Sequence, residues 1–165
     1  MTVARYVKSI LITALVSVSL GGLLLHLRIH PPSTNHTHLI PMISGILSVI
    51  LVPVLFSFRK TLAYGYVLNG FLAILGAVLM AHLSIANWPD PANIQTVLLK
   101  TTLPDILIAC AKFFLGKALF DLETFGYAAE RPMAGASFRY PNLGWWLVHF
   151  VGVSVVYALG HVLWS

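Results

Sequence analysis

The chain has 165 residues, 58% of them hydrophobic and 9% charged, with a mean hydropathy of +0.87. A soluble domain carries about a quarter charged residues, so this chain cannot cover a water-facing surface, and lipid must solvate most of it. The net charge of +5 is read as basic residues kept on the cytoplasmic side of a membrane rather than as a nucleic-acid surface. The single cysteine, Cys110, excludes an internal disulfide and a cysteine-based zinc site.

In chain order, the first apolar segment is 6–27, with Arg5 and Lys8 at its start. Its apolar part is too long for a secretory leader and no small-residue cleavage site follows, so a retained span is expected. The loop from His26 to Ile40 then holds four of the seven histidines. The second segment, 39–58, has Pro41 in its first turn, where a missing N–H costs little, and Pro53 inside, where a kink is expected. Only Arg59 and Lys60 separate it from the third, 61–85, so these two helices should form a tight antiparallel hairpin.

The stretch 91–99 follows Asp90, a capping residue, and brings Ile94, Val97 and Leu98 to one face; a short helix resting on the outer surface is expected. The fourth segment, 103–122, opens with Thr102, Pro104 and Asp105, all suited to a helix start, but Lys112 and Lys117 interrupt its apolar run. It either spans or lies in the interface as an amphipathic helix. The segment 124–144, with Pro132 and Pro141, reads as a cytoplasmic loop, and the last segment, 145–164, has tryptophans near both ends.

Basic residues arbitrate the topology. With five spans and a cytoplasmic N-terminus, Arg5, Lys8, Arg59, Lys60, Lys117, Arg131 and Arg139 all fall inside, leaving Arg28 and Lys100 outside. With four spans Arg131 and Arg139 move outside and the bias weakens. The expectation is therefore an all-α, polytopic transmembrane helix bundle of five spans forming one domain over 1–165, in a bacterial inner membrane, with the C-terminus outside. Four spans plus one interfacial helix is the alternative.

Three sets of residues carry functional expectations. His26, His82 and His161 fall near the outer ends of three helices, at similar depth, as a b-type haem or a transition metal requires; His36, His38 and His30 could add metal ligands. His26 shares its stripe with Ser19 and Gly22. Histidine is also at home at headgroup depth with no ligand. Lys112, at mid-bilayer if its segment spans, has Asp105 on the same face seven residues earlier and Gly116 one turn later, which suggests an ion or proton path or an anion site. The competing reading has both lysines of that segment reaching to headgroups. Asn69, Gly76, Gly152 and Gly160 belong to helix-packing stripes, as do Thr13, Ser17 and Gly21.

No phosphate loop, nucleophile elbow or zinc-protease motif is present, and five acids in the whole chain supply acid–base catalysis poorly, so an enzyme is not expected. The leading expectation is a non-catalytic subunit or anchor of a larger membrane complex, with the bilayer and other subunits or further copies as partners. A haem- or metal-handling redox subunit comes next, and a small transporter or ion-conducting protein using Lys112 third.

Overall fold

The structure is a computed structural model that describes residues 2–29, 39–86, 95, 99, 103–126, 144, 147–148 and 151–152, with the backbone alone at 29 and 80–86. The described elements are helices: α1 (Val3–Ile29), α2 (Leu39–Val49), α3 (Leu51–Ser57), α4 (Leu62–Ala86) and α5 (Leu103–Phe125), with a 3₁₀ turn over Arg59–Thr61. No strand occurs among the described residues.

Among the described residues three stretches are long and apolar enough to cross a membrane: Val3–Arg28, Leu39–Ser57 and Arg59–Leu79. The second is interrupted at Ile50, which separates α2 from α3. Pro53 is the cause: it has no N–H to give the Val49 carbonyl, and its ring crowds that carbonyl. The turn is bridged by Ile50 N–H donating to the Ile46 carbonyl (2.9 Å) and Val54 N–H to the Ile50 carbonyl (3.3 Å). After Ser57 the chain reverses within a few residues. Thr61 closes this turn, its hydroxyl donating to the Leu55 carbonyl at 2.8 Å and its N–H to the Phe58 carbonyl at 3.1 Å.

α5 is not among the three apolar stretches, for it holds Asp105, Lys112, Lys117, Asp121 and Glu123. It nevertheless runs alongside α1. Ile108 lies against Gly22 near one end, and Glu123 pairs with Lys8 at 3.2 Å near the other. The two helices are therefore antiparallel over about 21 Å of their length, at 1.5 Å per residue. Across the bundle Tyr66 of α4 stacks on Phe120 of α5, ring centroids 4.9 Å apart. The result is an up-down-up-down ring in which α2 and α3 together make the second member.

α5 also continues past the predicted end at Leu122, taking in Thr124 and Phe125, which the sequence had assigned to the loop. It stops at Gly126, whose φ of +93° is the left-handed conformation that closes helices, with its N–H donating to the Leu122 carbonyl at 3.0 Å. Of the predicted last span, Leu147, Val148, Val151 and Gly152 are helical, and Leu147 packs on the core. Of the predicted surface helix over 91–99 only Gln95 and Leu99 are described, both helical and exposed, and most of 124–144 and 145–164 lies outside the described residues.

The bundle is inverted relative to a soluble protein. Ile10, Leu24, Ile43, Val54, Phe71 and Phe114 face outward, while Ser19, His26, Ser44, Ser48, Asn69 and Lys112 are buried. That distribution suits lipid as solvent, and the long apolar helices place the protein in a membrane.

Two glycines set how closely the helices approach. A Cβ added at Gly45 would lie 2.6 Å from Leu23 Cδ1, and one at Gly116 would lie 2.5 Å from Asn69 Nδ2 with the Phe56 ring at 3.7 Å. Gly116→Val should therefore separate α4 from α5 and cost about 1–3 kcal/mol, the usual range for overpacking. Gly21→Val, where an added Cβ meets nothing within 4 Å, should be near neutral. Thermal unfolding in detergent compares the two, and equal midpoints would contradict this account of Gly116.

Candidate functional site

The ring of helices encloses a partly open cavity of about 80 Å³. Each of the four members contributes one stripe to its wall. α1 presents Ser19, Gly22 and His26, α2 presents Ser44, Gly45 and Ser48, α4 presents Ala73, Gly76 and Ala77, and α5 presents Asp105, Ala109 and Lys112. The spacings of three and four residues are those of a single helix face, so each stripe looks inward along its length. Small side chains leave the space, and six polar side chains line it.

The cavity occupies one half of the bundle. It runs from the level of His26, Pro41 and Asp105 to the level of Lys112 and Ser48. In the other half Phe56, Tyr66, Phe113 and Leu119 are fully buried against one another's helices and fill the interior. The space therefore has an apolar floor, with Lys112 just above it.

Lys112 is 5% exposed and its ammonium donates to Ser48 Oγ at 2.7 Å. One turn on, Gly116 makes room for Asn69, which is 1% exposed and whose Nδ2 donates to the Lys112 backbone carbonyl at 2.7 Å. Three helices thus meet at one residue: α2 holds the head of Lys112, α4 holds its backbone, and α5 carries it. Asn69 Oδ1 has no hydrogen-bond partner among the described residues, nor has the buried Ser19 Oγ. A buried ammonium is costly to desolvate, and hydrogen bonds to its head offset part of that cost. Asp105 stands about two turns away on the same helix and forms no ion pair among the described residues.

The sequence singled out Lys112, Asp105, His26, Asn69 and Gly76, and the fold gathers them at or beside this cavity. Among the described residues an added Cβ at Gly76 meets nothing within 4 Å, and this glycine lies on the cavity wall. Gly152 has nothing within 4 Å of its Cβ position either. His82 lies on α4, with its side chain outside the described residues; His30, His36, His38, His161 and Gly160 lie outside them altogether. No group of three metal-ligating side chains occurs among the described residues.

Sequence reasoning missed the serines. Ser44 and Ser48 stand four apart on a helix with few other polar residues, a signal that could have found them, and Ser19 was noted only as a small neighbour of His26. Their chemistry differs. Ser44 Oγ donates to the Ile40 carbonyl at 2.7 Å, satisfying its proton within its own helix, whereas Ser48 Oγ accepts from Lys112.

Away from the cavity the opposite end of the bundle is tied by charge. Lys8 reaches both Glu123 (3.2 Å) and the Ser57 carbonyl (3.3 Å), and Lys117 pairs with Asp121 one turn along α5. These groups are partly exposed, and their pairing closes that end over the aromatic interior.

Ser48→Ala takes the acceptor from a buried ammonium and should cost about 1–3 kcal/mol. In a Lys112→Met background the same substitution should be close to neutral. A double-mutant cycle on thermal midpoints measures the difference, and additive effects would mean the pair is not coupled. Compared with known proteins, the chain matches no family model, no curated protein and no solved structure.

Proposed function

We propose that this chain is a small membrane protein that passes an ion through the space between its helices, with Lys112 as the binding group at mid-depth and Asp105 towards the entrance. The observation that carries this reading is the Lys112 ammonium, buried, directed into a cavity and held, among the described residues, by one neutral hydroxyl. A lysine kept only to neutralise an acid would sit against one, and a lysine reaching for headgroups would leave the interior.

On this reading α5 is a span, because it runs the length of α1 from Lys8 to Gly22. With 145–164 the chain then crosses five times. Arg5, Lys8, Arg59, Lys60 and Lys117 gather at one end of the bundle, and basic residues favour the cytoplasmic side. The cavity lies in the opposite half and faces outward, in a bacterial inner membrane with the N-terminus inside.

A second reading, a non-catalytic subunit of a larger assembly or a homo-oligomer, has one observation in its favour. Ser9, Thr13, Ser17 and Gly21, spaced by four, form an exposed stripe on α1, with a shallow groove along it. Such stripes let membrane helices approach closely. Gly21→Leu should then reduce the mass of the assembly on a native gel while helix content stays constant, and an unchanged mass counts against this reading.

The primary reading is tested in vesicles loaded with potassium chloride, using potassium and chloride electrodes and a trapped pH dye. The purified protein should accelerate the movement of at least one ion over protein-free vesicles. Lys112→Met should return that rate to the protein-free value with an unchanged circular dichroism spectrum. If the wild-type protein moves none of the three ions, the reading fails.

A further inference from the structure

We propose that the cavity is a site for a small monovalent anion, a halide or a short carboxylate, held by the Lys112 ammonium together with the hydroxyls of Ser48 and Ser19. This rests on the reading of the cavity as an ion path and names the sign of the ion.

The inference follows from counting donors and acceptors. An ammonium has three N–H donors and no acceptor. Lys112 uses one on Ser48 Oγ, and the other two have no acceptor among the described residues. Ser48 accepts that bond, which leaves its own proton to give. Ser19, on the facing helix α1, is buried and lines the same space, and its Oγ has no hydrogen-bond partner among the described residues. Ser44 has already given its proton to the Ile40 carbonyl. The deep part of the cavity therefore offers N–H and O–H donors from three helices around one positive charge.

A cation there would meet Lys112 at close range, and among the described residues the wall offers it a single carboxylate, that of Asp105, about two turns away. A neutral solute would accept the hydrogen bonds and leave the charge uncompensated. An anion satisfies both requirements at once, as charge-assisted hydrogen bonds do elsewhere. Asp105 and His26 are the other titratable groups on the wall, and both stand towards the far end. Asp105 opposes an entering anion and so tempers its affinity, which suits a site that must also release its ion.

Gly76 provides the test. It lines the cavity with open space at its Cβ position, so Gly76→Cys in a Cys110→Ser background puts one thiol on the wall. That protein in vesicles is treated with a negatively charged and a positively charged methanethiosulfonate, each rate divided by its rate on a free thiol in solution. The negative reagent should be favoured by about tenfold, within the range that a charged cleft gives. The preference should survive Lys112→Arg, disappear in Lys112→Gln and grow in Asp105→Asn, and added bromide should slow the reaction while Lys112 is present. If the two reagents react equally, or the positive one faster, the anion is overturned and the ion path stands. If neither reagent reacts, an ion of that size does not reach Gly76 from water and the short carboxylate is overturned, and if bromide then also leaves the ion flux unchanged the halide is overturned with it.

Discussion

A lysine in the middle of an apolar bundle has to be given its hydrogen-bond partners by the helices around it, and this requirement organises the interior. Ser48 takes the head of Lys112 and Asn69 takes the carbonyl behind it, so α2 and α4 are both fixed in depth against α5. Asn69 reaches that carbonyl only because position 116 has no Cβ. One charge, one amide and one absent methyl group therefore decide the relative height of three helices. In lipid this matters more than in water, because apolar side chains gain little by leaving one another for hydrocarbon tails, and hydrogen bonds and close packing have to choose the arrangement.

The same helices show why the interior is open in one half and filled in the other. Above Lys112 the inward positions include Gly22, Gly45, Ala73, Gly76 and Ala109, and below it they include Phe56, Tyr66, Phe113 and Phe120. Side-chain volume changes abruptly at mid-depth on α4 and α5. Helices held a near-constant distance apart then enclose space where the residues are small and exclude it where they are aromatic. The polar groups follow the space, since a hydroxyl or an ammonium without room for a partner would carry its full desolvation cost.

Much of the fold can be read from the sequence because its determinants are local. The limits of α1 and α4, the reversal at Arg59 and Lys60, and the interruption by Pro53 each depend on the order of a few residues. α5 is harder, since Asp105, Lys112 and Lys117 make it a poor lipid helix by composition. One face of it packs on other helices, where its polar groups find partners, and hydropathy measures only compatibility with lipid. The site was visible to the extent that helical periodicity puts Lys112, Asp105 and Gly116 on one face and Ser19, Gly22 and His26 on another. Periodicity does not say which face meets which, so Ser48 as the partner of Lys112 and the Lys112 carbonyl as the partner of Asn69 could come only from the fold. Of the histidines before Leu39, His26 lies on the cavity wall, and His30, His36 and His38 lie outside the described residues.

The interruption at Ile50 divides the second member of the ring by role as well as by geometry. The part before it, α2, supplies cavity wall through Ser44, Gly45 and Ser48; the part after it, α3, supplies interior packing through Val52 and Phe56. Pro53 has already removed the hydrogen bond that an unbroken helix would make to Val49, so bending the chain there forfeits less than bending it anywhere else along its length. Ser48 stands two residues before this compliant point, with Lys112 in its grip. A small tilt of α2 relative to α3 would carry the hydroxyl towards or away from the ammonium while the aromatic packing below stays in register. The chain thus has a built-in elbow between the part that holds the charge and the part that seals the bundle.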